Sequence, residues 1–510
     1  MKKDMLQIKK AKMKFILTFF VMVHLMMGQV TLDGIPYTKY KKIENNLEKI
    51  ILDTVPVEIL LAEDENRAPG DPFRYGYIHE TEFNPNNSGS WIELEDGSRI
   101  WQIHFQSNDA YAINIEYENF FIPEGGELYV YNPGYKMIHG SYTHLNNGND
   151  GFFSTPHVEG DEIIIEYYEP KNTLDTFNLN IVNIIHDYVD IMNFSTNQRD
   201  WECGVNVICE SSAMYQEAIN SVAFLDMGGF ICSGAMVNNT RQDLTPYFLT
   251  AWHCIEGENP NTFRFYFNKE ASACENTWGS AGPYAYGSDL VADSNGIPGG
   301  DWALLLIDDE IEEDWEVFYA GWDVTENNPM ISCSVHHPGG TPKKINYDND
   351  TAYSAWWNNA SDGLTHWQVN WDEGGSEGGS SGSPLFNDRF QIVGVLTGGS
   401  GGCGDGYPDL YGKLYYGWNW ELESNRRLID WLDPDYTGAL VIDGTYVEVT
   451  GILGDLNSDD SLNILDIIVL VNLILDDDIM NEDLQLADLN EDGMLNILDI
   501  IVLANIIISS

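Results

Sequence analysis

Runs of alternating or continuous β-forming residues, broken by Gly, Pro and Asn, dominate the first part of the chain. Trp101–Phe105, Tyr111–Ile115, Leu128–Tyr131 and Glu162–Tyr167 are the clearest. Their period and their turn-forming boundaries predict strands, and a β-sandwich over residues 29–199. Two further apolar runs, Tyr247–Leu249 and Ala303–Leu306, read as strands of a second β-rich unit. The pattern changes near the end, where Leu462–Leu470 and Leu495–Leu503 are near-identical apolar runs with helical spacing. At the start, Lys2, Lys3, Lys9, Lys10, Lys12 and Lys14 precede an apolar run from Phe15 to Met27 that stops at Gly28. That run is too short to span a bilayer, and residues 1–28 read as a signal peptide. The apolar segments near Ile467 and Ile500 are short and interrupted by polar residues, so no transmembrane helix is expected.

The two central strands frame candidate chemistry. Thr250-Ala251-Trp252-His253-Cys254 places a histidine just after one of them, and Gly300-Asp301-Trp302 places an aspartate just before the other. Downstream, Gly378-Gly379-Ser380-Ser381-Gly382-Ser383-Pro384 sets a serine in a glycine-rich turn. A serine hydroxyl is a poor nucleophile unless a histidine takes its proton, and a carboxylate must hold the imidazole in the right tautomer. His253, Asp301 and Ser381 are therefore the candidate triad, with the amides of Gly379 and Ser381 as the candidate oxyanion hole. Each alone has an ordinary reading as a structural histidine, a turn aspartate or a loop serine. Their joint occurrence in this order favours catalysis.

With these residues in place, the chain from Cys203 to Gly444 resembles the lysyl endopeptidases of the chymotrypsin clan. The resemblance runs through Met236–Thr240, Ala320–Asp323, His336-His337-Pro338, Glu377–Pro384 and Asp430–Pro434. It implies two six-stranded antiparallel barrels with the triad at their junction, and peptide hydrolysis after a basic residue. It also implies that Cys203 pairs with Cys403, Cys209 with Cys274 and Cys232 with Cys254, leaving Cys333 as a buried free thiol. Such bridges belong to an oxidising compartment. For the preceding β-rich unit it implies a propeptide that assists folding and holds the enzyme inactive; a retained carbohydrate-binding or adhesion module is the alternative. Removal of that unit is expected in the stretch Asn197-Gln198-Arg199-Asp200.

A basic side chain before the scissile bond demands a buried carboxylate. Six residues before Ser381 stands Gly375, so trypsin's arrangement is absent. The family instead uses an Asp before a Tyr-Gly-basic strand, which Asp409-Leu410-Tyr411-Gly412-Lys413 matches. Asp409 is thus the expected specificity residue, with Thr397 and Gly398 lining the pocket. Thr397 stands where the family has a histidine, so basic specificity is better supported than lysine alone.

The C-terminal repeats carry a second chemistry. Asp455, Asn457, Asp459 and Asp466, and 33 residues later Asp488, Asn490, Asp492 and Asp499, put oxygen ligands at positions 1, 3, 5 and 12 of an EF-hand-like loop. Ser461 and Met494 add backbone carbonyls. The duplication resembles a type I dockerin, which implies structural calcium and a cohesin-type partner. Two acidic turns capping amphipathic helices are the plain alternative.

The whole chain has 80 acidic and 25 basic residues, a net charge of -55, which argues against nucleic-acid partners. Between Cys203 and Gly444 there are four lysines (269, 343, 344, 413) and five arginines (241, 264, 389, 426, 427). The expected organisation is a signal peptide (1–28), a β-sandwich propeptide (29–199), a mostly β trypsin-like protease domain (200–446), a linker (447–453) and an α-helical dockerin (454–510). The expected function is a secreted serine endopeptidase cutting after Lys or other basic residues, with no catalytic cofactor, tethered through calcium and a cohesin. A catalytically silent homologue serving as an adhesion or scaffold module is the alternative.

Overall fold

The computed structural model describes residues 34–43, 47–67, 71–193, 204–275, 277–357, 363–399, 408–446, 456, 462–475, 487, 489 and 495–509. The expected signal peptide, the expected cleavage stretch near Arg199, and Cys203 and Cys403 lie outside the described residues.

The four N-terminal apolar runs are strands Arg99–Gln106, Ala112–Phe121, Glu127–Tyr131 and Glu162–Glu169. They belong to two sheets. Arg99–Gln106 pairs with Glu162–Glu169, which pairs with Glu127–Tyr131. Ala112–Phe121 pairs with Asn178–Asp187, which pairs with Gly76–Phe83. The side chains between the sheets, among them Trp101, Phe105, Ile113, Ile115, Val130, Ile165 and Ile184, form one buried core. This is the expected sandwich, driven by burial of one face of each sheet. Glu166 is fully buried between strands, held by Tyr131 and Gln102 and by Thr38 from the short helix Tyr37–Lys41.

Two larger sheets follow. The first runs through Tyr284–Tyr286, Arg264–Tyr266, Val222–Asp226, Phe230–Met236, Tyr247–Thr250, Ala303–Ile307 and Ser288–Asp293. The second has ten strands and includes Ser332–His336, Pro384–Phe386, Ile392–Gly399, Asp409–Lys413 and His366–Val369. Both exceed the six strands that the resemblance implied, because short flanking strands add to their edges. One core spans both sheets, with Leu249, Trp302 and Leu304 packing with Trp322, Val335 and Val395.

A further strand was not foreseen: Phe73–Arg74, from the N-terminal unit, pairs antiparallel with Phe230–Ile231 of the first large sheet. Two residues carry no periodic signal, and only the partner edge gives them a strand conformation. The two units also share a buried cluster of Tyr75, Ile185 and Ile191 with Phe224, Ile231 and Tyr266. Beside it, the fully buried Arg264 guanidinium donates to Asp226 and, across the interface, to Ser154 and the Thr155 carbonyl.

At the C-terminus the two repeats are helices Ile464–Leu475 and Ile497–Ser509. They pack through Leu470 and Leu503. Among the described residues, no helix is long and apolar enough to cross a membrane.

Candidate active site

His253 lies on a one-turn helix, Trp252–Ile255, directly after strand Tyr247–Thr250. Asp301 lies where the chain turns into strand Ala303–Ile307, with φ +100° at Gly300 and +52° at Asp301 itself. Asp is one of the few side chains that tolerate this left-handed backbone. Pairing of the two strands brings the residues together. Asp301 Oδ2 sits 2.7 Å from His253 Nδ1, Oδ1 accepts the His253 amide at 3.1 Å, and the Asp301 carbonyl accepts the Trp252 amide at 3.2 Å. The carboxylate is fully buried. An Nδ1–H held by a buried carboxylate leaves the lone pair on Nε2, the tautomer a general base needs.

The Ser381 turn is fixed by residues that sequence reasoning missed. The His337 amide donates to Ser233 Oγ, which donates to the Gly379 carbonyl, at 3.0 and 2.8 Å. The Ser233 amide donates to the Ser381 carbonyl at 2.8 Å. Neither the Gly379 amide nor the Ser381 amide finds a protein acceptor among the described residues. Gly379 (φ +91°) and Gly382 (φ +81°) supply the backbone this reversal requires. Gly382 presses on the His253 segment, since a β-carbon there would stand 2.9 Å from the Ala251 nitrogen. Ser233 also follows Cys232, whose bridge to Cys254 joins the strand to the residue after His253. Ser381 and His253 are thus brought to one place, although no hydrogen bond joins them among the described residues. Such bonds often tighten only when substrate is bound. Ser380, beside Ser381, is pinned by a 2.7 Å contact between its Oγ and His336 Nδ1.

Asp409 opens strand Asp409–Lys413 and is 3% exposed. Ser376 Oγ donates to its Oδ1 and Trp371 Nε1 to its Oδ2, both at 2.7 Å. Burial pushes its pKa up, against the lowering effect of those two donors. Gly399, opposite it on strand Ile392–Gly399, has no room for a side chain: a β-carbon there would collide with Asp409 Oδ1. Ser376, Trp371 and Gly399 gave no signal in the sequence, because each is distant from Asp409 along the chain and meets it only in the fold. Thr397 is buried, its Oγ1 3.0 Å from His366 Nε2. A histidine therefore stands next to this position, contributed by strand His366–Val369, which pairs with the other edge of Asp409–Lys413.

The Cys209–Cys274 and Cys232–Cys254 bridges are formed, and Cys333 is free and buried. Burial pushes the Cys333 thiol far up its scale, which keeps it inert.

Of the candidate calcium ligands, Asp455, Asn457, Asp459, Ser461, Asp488, Asn490, Asp492 and Met494 lie outside the described residues. Asp466 and Asp499 are fully buried near the starts of the two helices. Asp466 accepts the amides of Leu456 and Asn463 at 3.0 and 2.8 Å, and Asp499 accepts that of Asn496 at 2.8 Å. Residues 454–510 contain no Lys or Arg to neutralise these buried carboxylates. A divalent cation held by oxygen donors fits that need.

Residues 198–412 match the family described as lysyl endopeptidase, C-terminal domain, and residues 453–508 match the dockerin type I domain. A lysyl endopeptidase of Pseudomonas aeruginosa is 26% identical over 346 residues, covering 62% of this chain and 72% of that protein. Among solved structures, a Glu endopeptidase in complex with MPD covers 41% of this chain and 91% of its own, at 19% identity and a TM-score of 0.29. The thermostable serine protease AL20 from an extremophilic microorganism covers 39% and 92%, at 14% identity and the same score. At these scores the structural likenesses carry no weight, and the assignment rests on the sequence matches. By these matches residues 198–412 are similar to the C-terminal domain of lysyl endopeptidases and residues 453–508 to a type I dockerin, and the chain is a serine endopeptidase.

Proposed function

We propose that this protein is a secreted endopeptidase that cuts peptide bonds after basic residues, lysine foremost, and is tethered through its dockerin. The 2.7 Å contact between His253 Nδ1 and the buried Asp301 carboxylate carries this reading. His253 takes the Ser381 proton as the hydroxyl attacks the scissile carbonyl and returns it to the leaving amine. Asp301 steadies the imidazolium formed between those steps. The oxyanion forms facing the Gly379 and Ser381 amides, where one donor typically contributes about a hundredfold or more in rate.

Asp409 reads the residue before the scissile bond. A carboxylate disfavoured by burial gains most from a cation, and a lysine ammonium at the base of the pocket supplies one. Thr397 and Gly398 line the way to it. The domain limits proposed are 29–199 for the propeptide, 200–446 for the protease and 454–510 for the dockerin, after a signal peptide ending at residue 28.

In the dockerin, calcium is held by Asp455, Asn457, Asp459, Ser461 and Asp466 in one loop and by Asp488, Asn490, Asp492, Met494 and Asp499 in the other. The cohesin-facing surface is proposed from a symmetry in exposure. Leu465 and Ile468 are 51% and 53% exposed, and their repeat counterparts Leu498 and Ile501 are 50% and 51% exposed. Apolar side chains left uncovered at matching positions of both repeats suit a protein partner.

Digestion of a mixed peptide library, with the residue before each cut read out, tests the enzyme reading. Cuts after Lys that vanish in Ser381→Ala are expected. Cuts elsewhere would sink the Asp409 assignment, and an absence of serine-dependent cuts would favour a silent scaffold module.

A further inference from the structure

The strand Phe73–Arg74 lies close to the nucleophile turn. Its partners Phe230 and Ile231 immediately precede Cys232 and Ser233, the residues that bridge to Cys254 and clamp the Ser381 carbonyl. The Phe73 ring rests on Gly378, where a β-carbon would stand 2.9 Å from Phe73 Cδ2. The Ile231 side chain reaches Gly379, with a β-carbon there 3.1 Å from Ile231 Cδ1. The Asp409 pocket lies on the other large sheet. A peptide whose lysine enters that pocket and whose scissile carbonyl meets Ser381 must continue over the first sheet, along the free edge at Phe230–Ile231. Extended backbone added to a sheet edge is a general way to hold a peptide.

The strand already on that edge is held as an occupant, not as a substrate. Arg74, the basic residue of this strand, is engaged by its own unit: its Nε donates to Asp64 at 2.8 Å, and Nη2 to Glu63 and the Leu60 carbonyl at 3.0 Å. All three belong to the N-terminal helix Val57–Asp64. The next residues lock down as well, with the Tyr75 and Gly76 amides on the Gly229 carbonyl at 2.9 and 3.0 Å and Tyr75 OH on Asp226 at 2.8 Å. Ile191, from the same N-terminal unit, packs on Gly340 beside Ile231.

We propose that Phe73–Arg74 occupies the edge that receives substrate backbone on the leaving-group side of Ser381, so that the N-terminal sandwich inhibits by competing with the peptide beyond the scissile bond while leaving the Asp409 pocket unfilled. This rests on the endopeptidase reading above. It deepens that reading by naming the inhibitory segment and the half of the cleft it blocks.

The full chain tests it with three probes: a small fluorophosphonate that labels the catalytic serine, a short lysyl reporter with a small leaving group, and a lysyl peptide with four residues after the lysine. The fluorophosphonate should label the wild type and not Ser381→Ala, and the short reporter should be turned over. Phe73→Ala removes the ring on Gly378, and Arg74→Ala frees the strand from Val57–Asp64. Each should lower KM for the extended peptide by about tenfold or more while changing the short reporter by less than about twofold. Loss of labelling in the wild type would overturn the catalytic reading itself. Labelling with both reporters equally good in the wild type, or equally affected by both substitutions, would overturn the strand proposal and leave the catalytic reading standing. Thermal melts of the two variants, compared with the wild type, separate loss of the strand from loss of the fold.

Discussion

In its proposed role, Asp409 is a side chain that opposes folding in order to bind a cation. Its pKa is raised by burial, so at neutral pH the ionised carboxylate destabilises the empty pocket, and the cost grows as pH rises through the raised value. Asp409→Asn should therefore melt no lower than the wild type at pH 7. It should also lose about a hundred- to a thousandfold in kcat/KM on lysyl substrates, the usual consequence of leaving a buried cation without its partner. A variant that keeps lysyl activity would remove Asp409 from the pocket. Much of this site was legible in residue type and order: His253, Asp301 and Ser381 announced themselves through local motifs, and Asp409 through the Tyr-Gly-Lys that follows it. Ser233, Ser376, Trp371 and Gly399 were not legible. Ser233 acts on Gly379 from 146 residues away and Ser376 on Asp409 from 33, through side-chain hydrogen bonds that no local pattern encodes.

Among the elements, the joint between the N-terminal sandwich and the first protease sheet holds the titratable groups with the clearest consequence. Glu116, fully buried on strand Ala112–Phe121 against Gly228, has its pKa raised from 4.5 to about 7 by burial, with Asn183, Arg264 and Thr262 opposing. Its contribution is lost as pH rises from about 4.5 to about 7, because the unfolded chain ionises first. His157, buried beside Asp226 and Arg264, is lowered from 6.5 to about 4 by burial, and its contribution is lost in the other direction, as pH falls below 6.5. The two trends oppose each other between pH 4.5 and 6.5. Glu116→Gln should leave the histidine trend unmasked, so that the variant gains stability relative to the wild type as pH rises across that window. Melting temperatures at pH 4.5, 5.5 and 6.5 would read it, and parallel profiles would show that Glu116 titrates alike in the folded and unfolded chain, with no raised pKa. The strands of the sandwich were predictable because alternation survives in them. Phe73–Arg74 and the helix Val57–Asp64 were not, being defined by what they touch.

At the scale of the whole molecule, acidity and modularity act together. Thirteen acidic residues crowd into 454–510 without a single base, so their mutual repulsion must be balanced by bound cations. Chelation of calcium should melt the helix pair and abolish capture by a cohesin while leaving lysyl reporter hydrolysis unchanged; coupled loss of both would mean that the modules are not independent. Under the proposed lysine specificity, the protease carries its own protection against digestion. All four lysines between Cys203 and Gly444 are buried: Lys269, Lys343, Lys344 and Lys413 are 2%, 0%, 1% and 1% exposed. Each has company inside the fold, as when Lys413 donates to Ser354 at 2.7 Å over the Trp367 ring, or Lys343 to the Ile219 carbonyl at 2.9 Å. In the intact chain none of these four amines stands at the surface, and the dockerin has no lysine. An amine-reactive resin would then grip the full chain only through its N-terminal unit, where Lys39, Lys41 and Lys42 are exposed, and would hold the protease and the dockerin out from the support.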